Sequence, residues 1–101
     1  MSQEQKNKIG YTYILSNKSN SVVYVGVTAN IVKRVYEHKQ KLIEGFTKKH
    51  NLDKLVYFET YDDIRLAIAR EKQLKKLDMD SKFNLVKKEN PKIDDLHIPG
   101  I

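Results

Sequence analysis

Two short runs rich in β-branched and aromatic residues lie close together near the start of the chain, and their spacing constrains the fold more than any other feature. Tyr11-Thr12-Tyr13-Ile14-Leu15 alternates so that Tyr11, Tyr13 and Leu15 share one strand face. Ser16 to Ser21 is a cluster of turn formers, and Val22 to Val27 is a second β-branched run. Together they predict an antiparallel hairpin. With Tyr13 roughly opposite Tyr24, both phenols project from the same face, because cross-strand partners share a side. Gly26 then stands beside them, with no bulky side chain over the backbone, so a ligand could approach closely.

Beyond the hairpin, Thr28 or Asn30 can cap a helix running to about Ile43, with Ile31, Val35 and Leu42 as its apolar stripe. His38 falls inside that stripe and Arg34 flanks it. Residues 44–53 form a basic loop, and Leu55 to Thr60 reads as a third strand. Asp62 or Asp63 starts a helix through about Lys76, with Ile64, Ala67, Ile68 and Leu74 facing the core. Asp80 can cap a third helix through about Lys88, and Pro91 stops it. The order β-β-α-β-α-α predicts one α+β domain with a small antiparallel sheet, spanning residues 10–88. Residues 1–9 are polar and expected to be frayed or disordered. Residues 89–101 are expected to be a tail packed on the domain or extending from it.

Composition removes several alternatives. A chain of 101 residues allows one domain, and with 40% apolar and 32% charged residues it is polar yet not disordered. There is no cysteine, which excludes disulfides, thiolate catalysis and Cys-type zinc sites. No apolar run approaches the ~18 residues of a membrane span, and the N-terminus lacks a secretory core, so a cytoplasmic, soluble protein with no membrane partner is expected. The formal charge of +6 favours a polyanionic partner, most simply nucleic acid. No glycine-rich phosphate loop supports a nucleotide hydrolase.

A few residues could carry chemistry. At about 100° per residue, Glu71 projects between Ile68 and Leu74 on the core-facing side of its helix. A carboxylate there is costly unless it is paired or binds a metal, so an internal salt bridge and a metal site are both open. Arg34 and His38 are helix neighbours. They read either as a phosphate-binding cation beside a proton shuttle, or as a surface arginine beside a half-buried histidine. The Tyr13/Tyr24 pair reads either as a phenol pair at a site or as core packing. Arg65, Lys72 and Lys76 share one helix face, and Lys48 and Lys49 crowd the preceding loop beside His50; such a set can hold a phosphate backbone or simply be solvated. Three scattered histidines do not make a zinc site. A lone carboxylate suits Mg²⁺ or Mn²⁺, which keeps most of its waters and completes its shell from substrate phosphates.

These residues, in this order, resemble the GIY-YIG endonuclease family, and most closely its small stand-alone bacterial members of the UPF0213 type, which are similar to part of an excision-repair nuclease. The first signature strand corresponds to Tyr11-Thr12-Tyr13 and the second to Tyr24-Val25-Gly26. Arg34 and His38 in KRVYEH, Thr47 in GFTKKH, Leu55 to Glu59, Ala67 to Lys72, Asn90-Pro91 and Asp95-Leu96 follow, so the likeness covers about residues 10–96. The resemblance implies a three-stranded antiparallel sheet flanked by about three helices, and divalent-metal-dependent hydrolysis of a nucleic-acid phosphodiester, DNA ahead of RNA. It implies Glu71 as the sole protein ligand of Mg²⁺ or Mn²⁺ and Arg34 as the stabiliser of the pentacoordinate phosphate. Tyr24 would be the general base or orient the attacking water, Tyr13 would position it, and His38 would assist in water activation or proton transfer. Gly26 would keep the catalytic face open. A free tyrosine titrates near 10, so a tyrosine base at neutral pH needs a nearby cation or metal-bound water.

The chain departs from the family pattern in places. Tyr11 and Thr12 replace the Gly and Ile of the first signature, and Phe46 stands where many relatives carry a tyrosine. Asn84 lies near a third-helix position where some members have an asparagine close to the site. Family nucleases commonly take target specificity from an attached domain or a partner; a chain of this size is expected either to cleave with little sequence preference or to be directed by something else. A role in DNA repair or processing with low intrinsic sequence specificity is the leading expectation. A non-catalytic nucleic-acid-binding module, or an adaptor for a repair complex, is the alternative.

Overall fold

Gly10–Ser16 (β1) and Val23–Thr28 (β2) form the expected hairpin in a computed structural model that describes residues 8–98. Expectations for residues 1–7 and 99–101 lie outside those residues. The turn is held by Asn17, whose side-chain oxygen accepts from the backbone N–H groups of Ser21 and Val22 at 2.9 and 3.0 Å. Asn20 takes a left-handed conformation (φ 58°), which asparagine tolerates better than most residues. Then follow α1 (Ile31–Lys39), a single helical turn α2 (Phe46–Lys49), β3 (Lys54–Tyr61), α3 (Ile64–Lys75) and α4 (Met79–Glu89). The sheet order is β2-β1-β3 and both pairings are antiparallel. This is the predicted α+β arrangement, with one extra helical turn inside the basic loop.

The hairpin register differs from expectation. Tyr13 pairs with Gly26, and Tyr24 pairs with Leu15. The two phenols still share a face, because the strand period is two and Tyr24 lies two residues from Gly26. Gly26 itself is not open to a ligand, since the Tyr13 ring occupies the space over it. A Cβ at Gly26 would lie 2.4 Å from Tyr13 Cζ and 2.5 Å from its hydroxyl oxygen. Gly26 is therefore a seat for the Tyr13 ring. Gly26→Ala is expected to destabilise the fold by about 1–3 kcal/mol through overpacking. Urea unfolding would show this as a lower midpoint with an unchanged slope, and a midpoint equal to wild type would contradict it.

The sheet separates two apolar layers. On one side Tyr13 and Leu15 pack with Ile31 and Val35 of α1 and with Leu52, Leu55 and Ile98. On the other, Ile14, Val25, Val56 and Tyr57 pack with Leu74 of α3 and Val86 of α4. Thr12 explains one departure from the signature. It is fully buried against α3, and its hydroxyl donates to the Ala67 carbonyl oxygen at 2.7 Å, a bond that isoleucine could not make.

Several helix details are corrected. Asn30 caps α1, accepting from Lys33 N–H, but the helix stops at Lys39 and Lys41 turns left-handed (φ 56°). Leu42 therefore leaves the stripe and is exposed. Asp63 caps α3 as expected, whereas Ile68 points outward and is exposed, leaving Ala67 and Leu74 as the buried residues. Asp78 caps α4 in place of Asp80, its side chain accepting from Ser81 N–H at 2.7 Å. The tail packs on the domain as far as it is described. Buried Asn90 donates to the Val56 and Asp94 carbonyl oxygens, and Asp95 and Leu96 bond to the Leu55 backbone. At the other end, the Lys8 carbonyl oxygen accepts from Ile64 N–H at the start of α3.

Candidate active site

Because β2 is an edge strand, its Tyr24 can be reached from both layers, and residues of α1 and α3 meet around it. The Tyr13 and Tyr24 ring centroids are 6.3 Å apart, Tyr13 and His38 5.8 Å, and Tyr24 and His38 6.1 Å, so the three rings form a nearly equilateral triangle. From the α3 side, the Lys75 ammonium lies 5.8 Å from the Tyr24 ring centroid and 2.8 Å from Glu71 Oε2. Arg34 lies one turn before His38 on α1, and Glu71 is joined to the Tyr24 ring through Lys75. The five residues singled out as catalytic therefore gather in one place.

Their exposure divides them into two groups. Tyr13 is fully buried and His38 is 5% exposed, so neither meets an attacking water directly. The Tyr13 hydroxyl and His38 Nε2 are 3.1 Å apart, and His38 Nδ1 lies 3.2 Å from the Thr47 hydroxyl, a buried chain that either imidazole tautomer can satisfy. Burial pushes the Tyr13 phenol up to about 12, against the opposing pull of the Arg34 guanidinium beside it. Burial, and then the Arg34 charge, push His38 down to about 4, so its imidazole is neutral at pH 7.

That depression fixes the sign of a pH effect. Below the ordinary histidine value of 6.5 the unfolded chain takes up a proton that the folded protein resists until about pH 4. Stability is therefore lost as pH falls through this window, by about 3 kcal/mol at most, since each tenfold difference in proton affinity corresponds to about 1.36 kcal/mol. His38→Gln, which can hold both hydrogen bonds without taking a charge, is expected to show a shallower acid decline. Urea midpoints of both proteins at about pH 7 and about pH 4.5, on either side of most of that window, measure the difference, and equal declines would contradict the assignment.

The outward-facing group is Tyr24, Arg34 and Glu71. Among the described residues the Tyr24 hydroxyl has no hydrogen-bond partner, and Arg34 has one ion pair, Nε to Glu37 at 3.3 Å. The Glu71 side chain is 14% exposed and pairs with Lys75 one turn later. That carboxylate holds the Lys75 ammonium charged to higher pH than usual. The salt bridge anticipated as one alternative for Glu71 thus exists, and it lies next to the tyrosines.

The basic residues are only partly grouped. Lys72 and Lys76 are exposed on or just after α3, and Lys49 is exposed at the end of α2; none has an ion pair among the described residues. Lys48 pairs with Glu44 at 2.9 Å, and Arg65 forks onto Asp63 at 2.6 Å. These two are partly neutralised within the chain. Asn84 lines a cavity of about 350 Å³ with Asn20, Asp80, Phe83, Lys87 and Ile93, among which none of the five gathered residues appears. Phe46 packs against His50 with ring centroids 4.4 Å apart and the rings tilted by 46°.

Two contributors carry no assigned role in the sequence, although Thr47 stands in one of the family blocks. Thr47 is the buried far end of the Tyr13–His38 chain, and no local pattern marks a threonine in a basic loop as buried. Lys75 had a readable signal, since Glu71 and Lys75 form a helical i,i+4 pair. A second cluster on α3 and β3 lies on the opposite layer: Glu59 accepts from Tyr57, Tyr61 and Arg70. Burial opposes the Glu59 charge, yet Arg70 and the two phenols hold its carboxyl below the usual range. Its partners are all internal, as in a structural ion pair.

A family model described as the GIY-YIG catalytic domain matches residues 9–84. A UPF0213 protein of Syntrophus aciditrophicus (strain SB) is 39% identical over 82 residues, covering 80% of this chain and 92% of that relative. A UPF0213 protein of Clostridium perfringens (strain 13 / Type A) is 37% identical over 78 residues, covering 77% of this chain and 83% of the relative. No solved structure matches the chain.

Proposed function

The chain belongs to the GIY-YIG catalytic domain family, a nuclease family, and on that premise we propose that it hydrolyses phosphodiester bonds of nucleic acid, DNA ahead of RNA, with the help of one divalent ion. The observation that carries this reading is the ring cluster of Tyr13, Tyr24 and His38, with Arg34 one turn before His38 on α1 and Glu71 linked to the Tyr24 ring through Lys75. Packing alone does not require a tyrosine, an arginine and a mostly covered carboxylate to share one edge of a sheet.

The metal fits the donor set. Among the described residues no three His, Asp or Glu side chains cluster into a cage, so a structural site of the zinc or calcium kind has no support. Glu71 is a lone carboxylate already holding a cationic group, which matches an ion that takes one protein ligand and fills its shell with water and substrate phosphate. When bound there, Mg²⁺ or Mn²⁺ would supply Lewis acidity at the phosphate and stabilise the leaving oxygen.

The chain's own residues then divide the work. Tyr24, with its hydroxyl uncommitted, orients the attacking water and accepts its proton or passes it on. The Arg34 guanidinium, half exposed, binds a phosphate oxygen and stabilises the charge that grows on the pentacoordinate phosphorus. Tyr13, His38 and Thr47 hold the floor beneath these groups through their buried hydrogen bonds, and Gly26 makes room for the Tyr13 ring. Lys49, Lys72 and Lys76 are free to meet backbone phosphates, and that binding weakens with salt. A role in repair or processing, with target choice supplied by a partner, agrees with the formal charge of +6, which favours phosphate contacts that carry no sequence information.

The test uses labelled single-stranded, duplex and branched DNA and RNA oligonucleotides with Mg²⁺, Mn²⁺ or EDTA. Products that form with metal and vanish in EDTA are expected. Salt-sensitive retardation with no product under any of these conditions would favour a binding module instead.

A further inference from the structure

We propose that Lys75 is a built-in counter-cation for Glu71, occupying the carboxylate in the metal-free protein, keeping it beside Tyr24, and competing with a divalent ion for it. The inference rests on the reading of Glu71 as the metal ligand. Three observations carry it. Lys75 Nζ is 2.8 Å from Glu71 Oε2, while Glu71 Oε1 has no partner among the described residues, so one side of the carboxylate is neutralised and the other is open. The same ammonium lies over the Tyr24 ring at 5.8 Å, which ties Glu71 to the tyrosine face through one side chain. The neighbouring Lys72 and Lys76 are exposed with no ion pair among the described residues, so Lys75 is set apart from the lysines around it.

The chemistry of the pair favours exchange over permanence. A carboxylate that is only 14% exposed is costly when left uncompensated, so a metal-free site needs some cation. An ammonium on a flexible four-carbon stem, itself 49% exposed, can return to solvent when another cation arrives. An arginine would grip both oxygens and be harder to displace. Lys75 is thus a positioning residue, and its removal is expected to tighten metal binding, which a purely structural ion pair would not do.

The test is a Mn²⁺ titration followed by electron paramagnetic resonance of the free ion, without nucleic acid, on wild type, Lys75→Met, Lys75→Arg and the double variant Lys75→Met/Glu71→Gln. Thermal unfolding checks that each is folded. Lys75→Met is expected to lower the Mn²⁺ dissociation constant by about fivefold, the scale of a partly exposed ion pair. Lys75→Arg should return it to the wild-type value or above, and the double variant should lose the gain. An unchanged constant in Lys75→Met overturns the inference, as does a gain that persists in the double variant. Absence of Mn²⁺ binding by both wild type and Lys75→Met would instead remove Glu71 as a metal ligand, and this inference with it.

Discussion

Glu71→Ala is expected to abolish cleavage, lowering the rate by about 10³-fold or more, while leaving the protein folded. A Lewis-acidic ion contributes several kcal/mol to the transition state, and each factor of ten in rate corresponds to about 1.36 kcal/mol. Glu71 is its only proposed protein ligand, and no group of three or more His, Asp or Glu side chains is present among the described residues to take its place. The fold loses little, because the partner left behind, Lys75, is half exposed and is solvated once the carboxylate is gone. Glu71→Gln, which keeps the side chain's shape, should fail in the same way. Cleavage by either variant at the wild-type rate, with the thermal midpoint unchanged, would reject a metal-carrying role for Glu71. A large fall in midpoint would instead assign the residue to the salt bridge alone.

Much of this arrangement was legible in the sequence. The β-β-α-β-α-α order follows from where the period of two gives way to the helical period, and Asn30 and Asp63 mark helix starts by the ordinary logic of capping. The inward tilt of Glu71 on α3 could be counted at about 100° per residue, and the structure leaves it mostly covered. Register was less accessible. Alternation fixes which face a strand residue takes but not its partner, so Tyr13 could be given the right side and the wrong neighbour. Gly26 follows from that register, because its missing side chain admits the Tyr13 ring and not a ligand.

Other differences have equally local causes. Asp78 and Asp80 are both able to cap α4, and only the observed start at Met79 decides between them. Leu42 fits a helical stripe by its spacing, yet the left-handed turn at Lys41 removes it. Ile68 shows that an apolar residue near the right angle need not be buried when the sheet beneath α3 is only three strands wide. Thr47 was out of reach for a different reason. Its partner His38 lies in another element, and only tertiary packing brings the two within 3.2 Å.

The tyrosines separate a catalytic sheet edge from its simplest rival, in which Tyr13 and Tyr24 are core residues with hydroxyls at the rim. Tyr13 does behave as a core residue, being fully buried and bonded to His38. Tyr24 does not. It is partly exposed, lies on the edge strand between His38 and Lys75, and its hydroxyl has no partner among the described residues. Tyr24→Phe removes one oxygen atom and almost no packing, so stability and nucleic-acid affinity should stay near wild type. A positioned proton acceptor contributes about 10²–10⁴-fold, and the chemical step should slow by that factor.

The most direct test of the catalytic centre is therefore the single-turnover cleavage rate of Tyr24→Phe beside wild type, on the substrate found with the oligonucleotide panel and at saturating Mg²⁺. A fall of about 100-fold or more is expected, with substrate binding unchanged. A rate equal to wild type would contradict a catalytic Tyr24 and return the residue to the packing of the sheet edge.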